Sequence, residues 1–219
     1  MSSFLNAEAE LSRYSTTEEN LNIASHAIGF ALSIVALVAL LEHAISLGDV
    51  KHTISFSIYG LSLVLLYGSS TVYHSSKDPY RRGRLRILDH ASIYVLIAGT
   101  YTPFTLITLP TTIGWVILSA SWGMALIGIV LKFFFTGRYR LFSTLMYVFM
   151  GWLIVFAIGP LLQNFPAAGL GWLVAGGLSY TLGAGLYSIK KIQFNHAIFH
   201  LFILAGGSCH FVAVYFYID

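Results

Sequence analysis

The chain is short of charge. Only 10% of its 219 residues are Asp, Glu, Lys or Arg, while 57% are hydrophobic; soluble domains carry about a quarter charged residues. A water-soluble domain of this length cannot hide so much apolar side chain, so an integral membrane protein is indicated. Cysteine is nearly missing as well. Cys209 stands alone, which excludes an intrachain disulfide and leaves the redox compartment unread. A signal peptide is lacking too. The first twenty or so residues are polar, with Glu8, Glu10, Glu18 and Glu19, and show neither a basic start with an apolar core nor a small-residue cleavage site. The expectation is a chain that keeps its N-terminus and inserts through its own spans.

What is there is hydrocarbon in long runs. Apolar stretches fall at approximately 22–46, 53–75, 87–108, 112–133, 141–162, 169–189 and 196–218, each long enough to cross a bilayer core as an α-helix. The connections are short, no soluble domain is inserted, and no internal repeat is visible. The pattern predicts an all-α membrane protein: residues 1–21 as a polar cytoplasmic N-terminal segment, and residues 22–219 as a single seven-helix transmembrane domain. Small residues in the sixth run (Gly171, Gly176, Gly177, Gly183, Gly185) read as close helix packing. Pro103, in "GTYTPF", is expected to kink the third run toward its outer end.

Charge sets the orientation. Eleven of the twelve basic residues lie on the side of the N-terminus: Arg13; Lys77, Arg81, Arg82, Arg84 and Arg86; Lys132, Arg138 and Arg140; Lys190 and Lys191. Lys51 alone lies opposite. By the positive-inside rule the N-terminus is cytoplasmic and the C-terminus external. The formal charge of +3 therefore marks topology and carries no nucleic-acid signal. Membrane lipid is the expected partner, and oligomeric state is not readable.

Into this hydrocarbon the sequence sets imidazoles. His196 and His200 lie one helical turn apart on one face, the spacing two metal-binding histidines need. His74 ends the second run and Asp89 opens the third, which puts all four near the cytoplasmic boundary on three helices. Zinc at a catalytic site takes three protein ligands and leaves a fourth position for water. His74, His196 and His200 would supply the nitrogens, with Asp89 beside the water as general base. The plainer reading is an interfacial histidine with its tip in water and an Asp89–Arg86 pair at a helix start, but ionisable groups inside spans are costly and mark function. Ser70 shares a face with His74, either reaching a water or substrate or bonding back to the carbonyl one turn earlier. Glu19, Asn22 and His26 share another face, although Thr16-x-x-Glu19 also fits a capping box. His210 lies about 15 Å along the axis from His200, too far to share a metal, and is expected to be buried and hydrogen-bonded. His43 and His52 fall near the outer face, and His90, turned about 100° from Asp89, is expected to face elsewhere.

The stretches "EENLNIASHAIG", "SSTVYH", "LDHASIYVLIAGTYTPF" and "NHAIFH" together resemble the hemolysin III group of bacterial membrane proteins, which belongs with the progestin and adipoQ receptors. The resemblance covers nearly the whole chain from Glu19 onward. It implies seven helices with a cytoplasmic N-terminus, and zinc held by His74, His196 and His200 with Asp89 near its water. Adiponectin receptors and the related alkaline ceramidases are linked to zinc-dependent hydrolysis of the ceramide amide. The bacterial members are named for haemolysis and linked to membrane lipid or energy homeostasis. The long N-terminal domain of the eukaryotic receptors has no counterpart in the sequence, so adiponectin-like ligand binding is not implied.

Three functions remain in view. The first is a zinc-dependent hydrolase of a lipid amide or ester in the inner membrane, with Asp89 taking the proton and Ser70 helping to hold the oxyanion. The second is a non-enzymatic membrane sensor or regulator in which zinc is structural. The third is a cytolytic, haemolysin-like protein; pore formation is disfavoured because no polar stripe runs the full depth of any span. The orientation is tested by reporter fusions. A fusion after Lys191 should score cytoplasmic and one at Asp219 external, and a cytoplasmic C-terminus would mean a miscounted span.

Overall fold

The computed structural model describes residues 14–135 and 140–219; Glu8, Glu10, Arg13 and Arg138, used above, lie outside them. The described chain is helical throughout: α1 (Thr16–Leu47), α2 (Val50–Ser75), α3 (Pro79–Pro103), α4 (Thr111–Phe135), α5 (Arg140–Gly151), α6 (Ile158–Asn164), α7 (Ala167–Ser188) and α8 (Asn195–Tyr217). Among the described residues six segments are long and apolar enough to cross a membrane, with α5 and α6 together forming one of them. α7 is a seventh helix but is not among the six. Its 22 residues include six glycines, which lower its hydropathy while letting it pack closely.

Local chemistry sets the boundaries. The Ser15 hydroxyl accepts from the Glu18 N–H at 3.2 Å and caps α1. The cap is therefore Ser15 rather than Thr16, which takes Glu19 out of the capping-box position and frees its carboxylate for another task. α1 also begins at Thr16, six residues before the apolar run does. Its end needs glycine: Gly48 has φ 70° and donates to the carbonyls of Ala44 and Ile45, a left-handed turn that only Gly adopts without strain. α3 starts on an Asp78 cap followed by Pro79, where a missing N–H is harmless. Pro103 ends regular α3, and Phe104–Thr108 continues as a π-helix because the proline cannot donate into the ladder.

Packing is inverted relative to a soluble protein. Large apolar side chains such as Val35, Ile45, Phe134 and Phe156 are exposed, whereas Asn22, Ser70, His74, Arg82 and His200 are buried. This is the arrangement a lipid-facing bundle requires. α1 packs on α2 and α2 on α3; α8 packs along α7 and returns to α1, so the N-terminal ends of α1, α3 and α8 meet the C-terminal end of α2. The glycines of α7 divide by face. A Cβ on Gly176 would lie 2.2 Å from the His210 ring and one on Gly183 2.6 Å from Phe202 Cβ, whereas Gly171 and Gly185 meet nothing within 4 Å.

That division predicts opposite signs. Gly183→Ala should destabilise the protein by about 1–3 kcal/mol through overpacking. Gly185→Ala, two residues away, should be neutral or stabilising by up to about 1 kcal/mol through helix propensity. Thermal unfolding of both variants in one detergent would test this, and equal shifts would remove the packing argument.

Candidate metal centre

His74 is the last residue but one of α2, and His196 the second of α8. The contact of α8 with α1, and of α1 with α2, brings the two helix ends together. The Nε2 atoms of His74 and His196 are 3.2 Å apart, and those of His196 and His200 3.1 Å. All three histidines are buried, and each offers a nitrogen within 4.8 Å of the others. Zinc–nitrogen bonds of 2.0–2.1 Å in tetrahedral geometry place ligand nitrogens about 3.4 Å apart, close to both separations.

The outer nitrogens fix the tautomers. His74 Nδ1 lies 3.1 Å from Glu19 Oε2, so it carries the proton and donates to the carboxylate, leaving a lone pair on Nε2. His200 Nδ1 lies 3.3 Å from the Asn22 carbonyl and 3.4 Å from the Ser25 hydroxyl, which again assigns the proton to Nδ1 and the lone pair to Nε2. His196 Nε2 faces both lone pairs and has at most one hydrogen to share. Protons alone leave this cluster poorly satisfied, and a cation among the three nitrogens resolves it. The donor set fits zinc.

Support comes from residues around the imidazoles. Glu19 Oε2 also accepts from Asn22 Nδ2 at 3.3 Å, and Glu19 Oε1 is paired with the Arg82 guanidinium. Arg82 is buried and donates to the carbonyls of Tyr73, His74 and Ser76 at 3.4, 3.1 and 3.2 Å, closing the end of α2. A carboxylate behind a ligating histidine fixes its ring and raises its basicity. Glu19 is thus no helix starter. Glu18 Oε1 accepts from the His196 N–H at 3.3 Å and caps α8, whose preceding residue, Phe194, has the left-handed φ of 57°.

His26, Ser70, Asp89, His196 and His200 line one cavity of about 220 Å³ that continues past His210 to Phe104 and Leu161. His74, Glu19 and Asn22 do not line it and hold the nitrogens from outside. The His26 ring stacks on His200 with centroids 3.5 Å apart and planes at 10°, and neither of its nitrogens has a hydrogen-bond partner among the described residues. Ser70 Oγ is likewise buried without a partner. The bond back to the preceding turn is made by its neighbour Ser69, to Leu66, and Ser69 also reaches Ser92. Asp89 is buried, with Oδ2 3.9 Å from His90 Nε2. His90 therefore does not face elsewhere. The cavity is broad enough to take both of these adjacent positions.

The remaining histidines are elsewhere. His210 is buried with Nε2 3.2 Å from the Leu173 carbonyl, as expected. His43 lies 3.9 Å from Asp219, and His52 Nδ1 is 2.9 Å from Asp49; the His52 hydrogen bond holds the Asp49 carboxyl below its ordinary range. Sequence reasoning missed Arg82 and Lys132, both taken for topology markers, because nothing in a run of basic residues tells a buried one from a solvated one. It also missed Tyr14, whose ring stacks on His196 at 4.7 Å and 16°.

Residues 14–211 match the family model described as "Haemolysin-III related". Hemolysin-3 of Bacillus cereus is 47% identical over 201 residues, 92% of each chain. A Hemolysin-3 homolog of Bacillus subtilis (strain 168) is 46% identical over 204 residues, 93% of this chain and 96% of its own. Human monocyte to macrophage differentiation factor is 30% identical over 230 aligned residues, 98% of this chain and 92% of its own, which supports the wider progestin and adipoQ receptor superfamily. With six apolar helices and relatives matched along nearly their full lengths, the chain is a multi-pass bacterial membrane protein and belongs to the haemolysin III family.

Proposed function

We propose that the protein is a seven-span, zinc-dependent hydrolase of a lipid amide or ester in the inner membrane, with its N-terminus in the cytoplasm. The observation that carries this reading is the opening of two converging imidazoles, His196 and His200, onto a cavity shared with Asp89 and an unpartnered Ser70 hydroxyl. A purely structural metal would need no cavity beside it, and catalytic sites keep a position open. The cavity's far wall is largely apolar, with Leu96, Phe104, Ile158 and Leu161 among its lining, which suits an acyl chain.

Zinc, when bound, supplies Lewis acidity toward a carbonyl and acidifies water. The chain's residues do the rest. His74, His196 and His200 hold the ion, and Glu19 and the Asn22 carbonyl keep two of the rings turned toward it. Asp89 accepts a proton from the attacking water and passes it to the departing amine or alcohol. Ser70 Oγ donates to the carbonyl oxygen as negative charge develops there. The acyl carbon–nitrogen or carbon–oxygen bond breaks, hydroxide is added to the acyl carbon, and the proton leaves with the polar fragment.

Elemental analysis of purified protein should give about one zinc per chain. His74→Ala, His196→Ala or His200→Ala should remove most of it, while His43→Ala and His52→Ala should not; Glu19→Gln should weaken binding by about 10- to 100-fold. Equal losses in both histidine groups would mean adventitious metal. Asp89→Asn separates chemistry from metal holding. With zinc in excess it should stay loaded yet lose lipid turnover, measured as restored lipid composition in a deletion strain, and Ser70→Ala should be milder. Full function in a zinc-loaded Asp89→Asn protein would remove the proton acceptor and move the protein toward a structural-zinc regulator.

A further inference from the structure

His210 is out of keeping with its surroundings. It lies ten residues beyond His200 on α8, about 15 Å along the axis, on a cavity wall that includes Leu161, Leu170, Val174 and Ile203. An ionisable side chain inside a span is costly and tends to mark function, and a leucine would fill the position with hydrocarbon alone. The fold instead makes room for the ring. A Cβ on Gly176 of α7 would lie 2.2 Å from His210 Cδ2 and 2.5 Å from Nε2, so the imidazole rests on α7 where that helix carries no side chain. Tyr180 packs edge-on against the ring with centroids 5.3 Å apart and planes at 74°, which holds its plane.

One ring nitrogen is satisfied and the other is not. Nε2 lies 3.2 Å from the Leu173 carbonyl, so it carries the proton and donates, and Nδ1 keeps its lone pair. α7 takes up the Cδ2–Nε2 edge. Nδ1, on the other edge, is buried and has no hydrogen-bond partner among the described residues, in a side chain that is 9% exposed and lines the cavity. Thr100, Tyr101, Trp152 and Thr181 also line the cavity, and each is satisfied within the protein. Thr100 donates to the Leu96 carbonyl, and the Tyr101 hydroxyl bridges Gly151 and Ile154. Trp152 Nε1 donates to Thr181 Oγ1, which donates in turn to the Gly177 carbonyl. The lone pair of His210 therefore stands out as an acceptor without a donor, and the uncharged donor that a lipid chain can carry into hydrocarbon is a hydroxyl.

We propose that His210 Nδ1 accepts from a hydroxyl on the chain of the lipid held in this cavity, so that the preferred lipid is one hydroxylated along its acyl chain. This rests on the lipid reading of the cavity and adds the class of chain. An extended chain advances roughly 1.2 Å per bond, so a hydroxyl about a dozen carbons from a carbonyl at the metal-binding histidines reaches His210. Discrimination follows from the unmet group. A bare chain leaves the lone pair buried without a donor, and a site built to hydrogen-bond a hydroxyl rejects the analogue that lacks it.

The test uses zinc-loaded, full-length protein in a neutral detergent and three amides of ethanolamine with one chain length. Their acyl groups are stearoyl, 2-hydroxystearoyl and 12-hydroxystearoyl, the last chosen for the span from the histidines to His210. Binding is read by competition against a fluorescent fatty amide, and cleavage by release of the fatty acid. The 12-hydroxystearoyl amide should bind about fivefold or more tighter than either of the others, as one buried hydrogen bond allows. His210→Leu should remove that preference at unchanged zinc content. His210→Gln, whose amide can donate to Leu173 and still accept from the chain, should keep part of it. A smaller wild-type ratio, as a water on Nδ1 would give, overturns the subsite. So does an equal gain from the 2-hydroxyl, or a preference that survives in His210→Leu. If His210→Leu fails to fold, the wild-type ratio between the two hydroxylated amides decides. A preference for the 12-hydroxyl without release of fatty acid would sink the hydrolase reading and leave the subsite standing; cleavage of all three amides at equal affinity would do the reverse.

Discussion

The Glu19 carboxylate is the tie on which the histidine-bearing end of the bundle depends. It comes from α1, accepts from His74 of α2, and is paired with Arg82 of α3, while Glu18 beside it accepts from the first turn of α8. Lipid tails are as apolar as the helices, so burial of hydrocarbon does little to hold helices together in a bilayer. Polar ties and close packing must do it. A buried carboxylate is costly unless paired, and removing one partner leaves the other charge uncompensated. Arg82 Nη1 donates to the carbonyls that end α2, so the same network that orients His74 also seals a helix terminus.

The cavity owes its width to two interruptions of regular helix. Pro103 turns the end of the third segment into a π-helix, and the fifth segment passes through a 3-10 stretch at Leu153–Ala157. Irregular backbone at membrane depth is tolerated where protein satisfies it. Tyr101 does so here: its hydroxyl donates to the Gly151 carbonyl at 2.9 Å and accepts from the Ile154 N–H at 3.0 Å. Phe104, Ile154 and Val155 from these broken stretches all line the cavity. The sequence that breaks the helices is the sequence that makes room between them.

The helices were legible because hydrophobic length is a strong signal: the expected run 112–133 became Thr111–Phe135, and 196–218 became Asn195–Tyr217. The first boundary was displaced because α1 carries two glutamates in its opening turn, which hydropathy reads as outside a span and which serve His74 and α8 instead. The His196/His200 pair was legible from a spacing of four, and His74 from its place at the end of a run. Roles requiring contacts between segments were not. Nothing local distinguishes Arg82 from Arg81, which is exposed, or Lys132 from a snorkelling lysine. The angle between His90 and Asp89 was correct for an ideal helix, yet a cavity that accepts both made it uninformative. Ser70 and Ser69 show the same limit, since only packing decides which of two adjacent hydroxyls bonds backward.

Metal holding and helix packing cannot be separated at this site. With Glu19 and the Asn22 carbonyl occupying the outer nitrogens of His74 and His200, their Nε2 lone pairs point toward a shared space that His196 can only partly satisfy. Without a cation, His196 can donate to at most one of the two lone pairs, and leaving the other buried without a donor costs free energy. A bound ion relieves this and so contributes to the junction of the two helices, as metal binding generally couples to folding. A structural contribution is therefore built into any metal the three histidines hold. What distinguishes a working site is what the ion would face: here a cavity bearing Asp89, an unpartnered Ser70 hydroxyl and a buried lysine, none of which is needed to join α2 to α8.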